Sequence, residues 1–301
     1  MRVLRSIGME LRQLRYAEAV ARHRHFTRAA EELHVAQSAL SHQVRRLEAE
    51  LGVELFTRTT RRVELTPAGT AAIARARRAL AEVEGLRGDL DELQGLLRGR
   101  IAVGVLPPVG GIDLPQLLAR FQATHSGIEV RLRGGVVREF EDHLERDELD
   151  AAFCLLAGPV AAGLETELIG SEDLVAALHP RHPLAGRRRI SAADLAGFSL
   201  ITPGSGSSLR EAADSFLSEA EERPKFSLES LDPFLIRGLV AQGFGVALLP
   251  RSFTELPGPE LAVRPLRPAV RLDLALVWRR DRHLPPAVRA FLDFVRAEVA
   301  P

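Results

Sequence analysis

Gln37, Ser38, Ser41, His42 and Arg45 fall on one side of a stretch whose other side carries Leu40, Val44, Leu47 and Leu51. A helix there would turn the first set outward and bury the second. The outward set has the chemistry to read nucleic acid. Gln pairs bidentately with adenine, Ser bonds base edges or phosphate, and Arg takes guanine or phosphate. His42 would add a contact whose charge changes near neutral pH. A polar helix face standing alone is usually only solvated. Here a basic segment with Arg58, Arg61 and Arg62 follows closely, and that tips the reading toward DNA.

Reaction chemistry is hard to find. The one lysine, Lys225, sits in Arg223-Pro224-Lys225, so no phosphate-cradling loop with its lysine can form, and glycine-rich dinucleotide, nucleophile-elbow and HExxH patterns are missing. The chain is therefore not expected to be an enzyme, and no cofactor or metal is expected. His179-Pro180-Arg181-His182 reads as a surface loop rather than a metal site. Cys154 is the single cysteine. It cannot close an intrachain disulfide, it fits a reducing compartment, and its apolar surroundings read as core.

These side chains need elements to position them. Residues 11–52 read as three helices: Leu14, Ala17, Ala21 and Ala29, Ala30, Leu33 recur at helical spacing, Thr27 is placed to cap the second helix, and Gly52 stops the third. A tight turn through His34-Val35-Ala36 makes the last two a helix-turn-helix. Leu55 to Leu65 offers two β-prone pieces around a basic tip, as a wing would. Thr66-Pro67 then restarts a helix, and Ala72, Ala76, Ala79, Val83, Leu86, Leu90, Leu93 and Leu97 alternate spacings of four and three, the seam of a coiled coil. A helix of about 30 residues would run roughly 45 Å and needs a partner, most simply a second copy. Beyond Gly99 the texture turns α/β, with strands expected at 101–105, 128–132, 151–156, 174–178, 199–201, 226–228, 246–249 and 272–278. Helices alternate with them, which implies parallel strands with crossovers.

Residues 26–41, from Phe26-Thr27-Arg28-Ala29-Ala30 through Gln37-Ser38-Ala39-Leu40-Ser41, resemble the helix-turn-helix of the LysR family of transcriptional regulators. Leu51-Gly52-Val53-Glu54-Leu55-Phe56-Thr57-Arg58 and Leu65-Thr66-Pro67-Ala68-Gly69 continue the resemblance, which is continuous over about 9–70. Met9 matches the family's usual start, so residues 1–8 are expected to be an extension or a misassigned start. The resemblance implies that Gln37, Ser38, Ser41 and His42 read or flank bases, that Arg61 acts at the wing, and that Arg58 touches phosphate or supports the wing. Replacing Gln37 or Ser41 by Ala is expected to abolish specific binding and spare the fold. Ala36 departs from the family's usual capping Ser, and His42 from a common Arg. Losing a cap costs about 1 kcal/mol.

Asp150-Ala151-Ala152-Phe153, Gly238 through Pro250 and Trp278-Arg279-Arg280 resemble segments of the family's effector domain. The resemblance implies a two-subdomain, periplasmic-binding-protein-like α/β fold after an all-α winged head. Expected domains are a winged helix-turn-helix at 9–66, a dimerisation helix at 67–98 and an effector domain at 99–301. Subdomain I takes about 99–163 and 269–301, and subdomain II about 164–268. Ligands in such folds sit at strand carboxyl ends between lobes. That points to Leu106, Pro107, Pro108, Val109 and Gly134 on one side, and to Thr202, Pro203, Ser205, Leu231 and Asp232 on the other. Free N–H groups at helix starts near Ile112 and Leu209 would suit a carboxylate.

Expected partners are double-stranded promoter DNA, a small-molecule effector, a second copy through the linker helix and a second dimer through the effector domains. RNA polymerase is an allowed further partner. Net charge is zero, yet residues 1–65 hold 12 Arg against 8 Asp or Glu, a mild basic bias where DNA contact is expected. No signal core and no membrane-length apolar run appear, so a cytoplasmic location is expected. Two other readings stay open: a DNA-binding regulator without effector, and a soluble small-molecule binding protein.

Overall fold

The computed structural model describes residues 8–58, 63–93, 97–105, 110–220, 224–280 and 284–299. The chain divides into two compact units, Met1–Gln94 and Gly95–Pro301.

In the first unit α1 (Leu11–His23), α2 (Phe26–Glu32) and α3 (Gln37–Leu51) precede an antiparallel pair, β1 (Phe56–Arg58) and β2 (Val63–Leu65), and then α4 (Pro67–Leu93). Small residues let the helices approach closely: Ala17, Ala29 and Ala30 are buried with Leu40, Val44, Leu47 and Phe56. Ile73 and Ala76 of α4 join this core. Leu51 does not. It is 42% exposed, because Gly52 turns left-handed directly after it (φ 72°) and carries the chain off the core. The cap of α2 also differs from expectation. His25 Nδ1 accepts from the backbone N–H groups of Thr27 and Arg28. Thr27 lies inside the helix.

Glu48 of α3 fixes the start of the wing, its carboxylate accepting from the N–H groups of Leu55 (2.9 Å) and Phe56 (3.3 Å). Thr66 caps α4 as expected, accepting from Gly69 N–H at 2.8 Å. α4 spans 27 residues, about 40 Å. The expected seam is shorter than the sequence suggested: Leu97 lies beyond this helix and packs on a core of the second unit.

The second unit is built on one eight-stranded sheet in the order β4-β3-β5-β10-β6-β9-β7-β8. One lobe holds β3 (Gly99–Val105), β4 (Ile128–Gly134) and β5 (Ala151–Leu156) with α5 (Leu114–Thr124), α6 (Val137–Glu145) and α10 (Pro286–Val299). The other holds β7 (Ser199–Thr202), β8 (Lys225–Glu229) and β9 (Val246–Pro250) with α7 (Ser208–Leu217), α8 (Pro233–Ala241) and α9 (Arg251–Thr254). Two long strands run through both lobes: β6 (Leu164–Leu178) and β10 (Ala262–Arg279), paired antiparallel. Strands within each lobe are parallel, as expected, but β6 and β10 make the whole sheet mixed. α10 returns to the first lobe, where Phe291 meets Phe121 edge-on with centroids 5.1 Å apart.

Candidate nucleic-acid interface and effector cleft

On α3, Gln37, Ser38, His42 and Arg45 are exposed. Ser41 is not: it is 5% exposed. It adjoins Leu40 at the edge of the apolar stripe, and the Arg45 guanidinium lies over it, Nε and Nη2 each 3.4 Å from its carbonyl and hydroxyl oxygens. Ser41 thus orients Arg45 rather than joining the open face. Ala36 supplies no side-chain cap, so the positive end of the α3 dipole is left for another acceptor. Arg61, Arg62 and the side chain of Arg58 lie outside the described residues.

Behind this face α1 is tied to α2. Arg22 Nη1 and Nη2 donate to Glu32 at 2.6 and 2.7 Å, and His23 Nε2 also meets that carboxylate. The Arg22 hydrogen bonds, aided by His23, hold Glu32 down to about 2. On α4, Leu86 and Leu90 are 60% and 52% exposed, an apolar line with no cover from its own chain.

The expected ligand residues of the second unit divide. Ser205 is exposed at the loop after β7, beside the exposed Leu231: a Cβ built on Gly204 would lie 3.4 Å from Leu231 Cδ2. Gly134 is exposed with open space where a side chain would be. Pro203 is buried. Thr202 is 2% exposed, and its hydroxyl accepts from Arg210 Nη1 at 3.2 Å. Asp232 caps α8, accepting from Phe234 and Leu235 N–H. Thr202 is thereby held inside its lobe, whereas Asp232 is exposed and spends only Oδ1 on the cap. Leu106, Pro107, Pro108 and Val109 lie outside the described residues.

The helix starts expected to bind a carboxylate are also taken. Asp113 accepts from Gln116 N–H at 2.9 Å, and the Ser207 hydroxyl accepts from Leu209 N–H at 3.2 Å. Between the lobes, near Gly135, Cys154 and Ser207, a void of about 20 Å³ remains, room for little more than one water.

The larger space was not foreseen. A cavity of about 460 Å³ opens between α6, the loop after β5 and α7, reaching Arg271 of β10. Val137 and Phe216 give it apolar walls, while Arg138, Glu141, Glu211 and Arg271 give it charge. Arg138 and Glu211 pair across it at 3.0 Å, and Ser208 Oγ donates to the Leu155 carbonyl at 2.5 Å. These contacts join one lobe to the other. The signal was present in sequence only as charged residues on two amphipathic helices, with nothing to say that they face each other.

Cys154 is 2% exposed, and burial pushes its thiol up to about 12. His182 caps a short 3₁₀ turn through Nδ1 and meets the Phe198 ring at a tilt, centroids 4.6 Å apart. Among the described residues no cluster of three metal-ligating side chains occurs, and no helix is long and apolar enough to cross a membrane.

A winged helix-turn-helix head followed by a two-lobed sheet with exchanged strands defines a class of regulator. The family model described as "Bacterial regulatory helix-turn-helix protein, lysR family" matches residues 11–70, and "LysR substrate binding domain" matches 94–300. The RuBisCO operon transcriptional regulator of Allochromatium vinosum is 36% identical over 303 residues, covering 97% of both chains. The hydrogen peroxide-inducible genes activator of Pectobacterium carotovorum is 36% identical over 293 residues, covering 96% of both. The structure of a full-length OxyR variant from Pseudomonas aeruginosa superposes with a TM-score of 0.75 at 29% identity, over 96% of this chain and 95% of that one. The chain belongs to the LysR family, and it is a DNA-binding transcriptional regulator with an effector-binding domain.

Proposed function

We propose that Gln37, Ser38 and His42 read bases in the major groove, that Arg45, steered by Ser41, and Arg58, Arg61 and Arg62 hold phosphates, and that an effector between the lobes modulates this binding. The observation that carries the reading is the α3 face: exposed polar side chains on a helix whose start is uncapped, beside a short antiparallel wing. Residues 9–66 form the reading head, 67–98 the dimerisation linker whose helix is α4 (Pro67–Leu93), and 99–301 the effector domain. Two copies pair along α4, and the exposed Phe234, Leu235 and Phe244 give the effector domains an apolar face for joining dimers into tetramers. The chain works in the cytoplasm by binding and not by turnover.

The effector sits in the 460 Å³ cavity, with an apolar body against Val137 and Phe216 and an anionic group, such as a carboxylate, on Arg138 or Arg271. Hydrogen peroxide sensing through a thiol pair does not fit this chain, whose one cysteine is buried with its thiol held protonated.

A footprint on the DNA flanking its own gene tests the reading head. Protection with dyad symmetry, lost in Gln37→Ala while the fold is kept, is the expected result. Equal footprints of wild type and Gln37→Ala would sink the residue assignment.

A further inference from the structure

The effector domain carries its own basic surface. Residues 179–193 and 261–271 hold seven arginines, four in the first segment and three in the second, and not one Asp or Glu. The fold brings the two segments together. Ile190, fully buried, pairs with Leu266: its N–H donates to the Pro265 carbonyl at 2.9 Å, and its carbonyl accepts from Arg267 N–H at 2.8 Å. Arg189 and Arg267 therefore project from neighbouring, pinned backbones, with Arg188 next to them. All three are exposed and make no ion pair among the described residues. Of the surrounding carboxylates, Asp194 takes Arg187 at 3.7 Å and leaves the rest uncompensated.

We infer that this arginine ledge binds the phosphate backbone of duplex DNA, as a contact that is separate from the reading head and independent of sequence. Unpaired guanidinium groups repel one another, so clustering them on a fixed backbone stabilises nothing within the fold. It does create a strong field for a polyanion. Every member is Arg, whose planar fork matches phosphate oxygens two at a time. A polyanion is also at hand: once the head holds DNA, further phosphates are present at high local concentration. The two segments hold seven Arg and no carboxylate in 26 residues, a denser positive charge than that of residues 1–65, where 12 Arg are set against 8 carboxylates.

The inference rests on the chain binding DNA, and the test separates the two. Full-length wild type, Arg188→Gln/Arg189→Gln/Arg267→Gln and Arg188→Lys/Arg189→Lys/Arg267→Lys are titrated on a long duplex of arbitrary sequence at several salt concentrations. Each phosphate contact contributes about 0.9 to the slope of log affinity against log salt, so the Gln variant should show a slope shallower by about 2–3. Its low-salt affinity should fall on the order of tenfold. The Lys variant keeps the charge and should retain most of the slope. An unchanged slope in the Gln variant overturns this inference alone, and no binding by wild type overturns it together with the DNA reading. An unchanged slope with reduced promoter transcription by RNA polymerase would assign the ledge to an acidic protein face instead, which also overturns it.

Discussion

Ala36 leaves the reading helix without the side-chain acceptor that helix starts usually have. A Ser there would accept from the first-turn N–H groups. Ala36→Ser should stabilise the head by about 1 kcal/mol, read as a shifted urea midpoint with unchanged slope. Glu32 makes the opposite kind of contribution, through charge. Held down to about 2 from an ordinary 4.5, its carboxylate stabilises the fold fully above 4.5, and that stabilisation is lost as pH falls through 2. The stability gap between wild type and Glu32→Gln, followed by thermal melts, should be constant near neutrality and close in acid. Single side chains were the least legible scale in the sequence. Gln37, Ser38 and His42 emerged where helical spacing put them, because periodicity decides which way a side chain points. Ser41 and Thr202 have the right chemistry but are buried against Arg45 and Arg210, and Asp232 gives one of its two oxygens to the start of α8. No local pattern announces such partners.

Elements were more legible where one period dominates. The third helix begins at Gln37 and ends at Leu51, between a tight turn and a left-handed glycine. By contrast the first ten residues of β6 went unread: they are mostly exposed or half-buried, with Glu165, Glu167, Glu172 and Asp173 breaking any alternation. That segment is a strand because β10 pairs with it across both lobes, a long-range cause. Gly69 shows how tightly two elements can be fitted. A Cβ there would lie 1.9 Å from the Leu55 carbonyl oxygen, where α4 passes the start of the wing. Gly69→Ala should destabilise the head by about 3 kcal/mol, the upper range for overpacking. Calorimetry of the full chain should show an early transition for the head while that of the effector domain stays in place.

At the scale of the whole molecule, the order of parts could be read because each part has its own period: helical, then heptad, then α/β. What the parts do together follows from surfaces that one chain leaves open. Leu86 and Leu90 expose more than half their surface on a helix about 40 Å long, and a soluble helix does not leave such a line bare without a partner. Ala79 and Val83 continue the line toward the head, where Ala76 and Ile73 are already used by the core. The free part of the seam is therefore its later half, and pairing there should decide assembly. Leu86→Glu/Leu90→Glu would set carboxylates of two copies against each other in an apolar seam, where like charges and lost burial both oppose association. Sedimentation of this variant should shift toward monomer, or toward dimers held by the effector domains alone. The head should melt as before, since its own core is untouched. Operator affinity should fall at least a hundredfold, because two recognition helices would no longer be delivered together. A variant that sediments like wild type would place the dimer contact elsewhere and leave the exposed leucines of α4 unexplained.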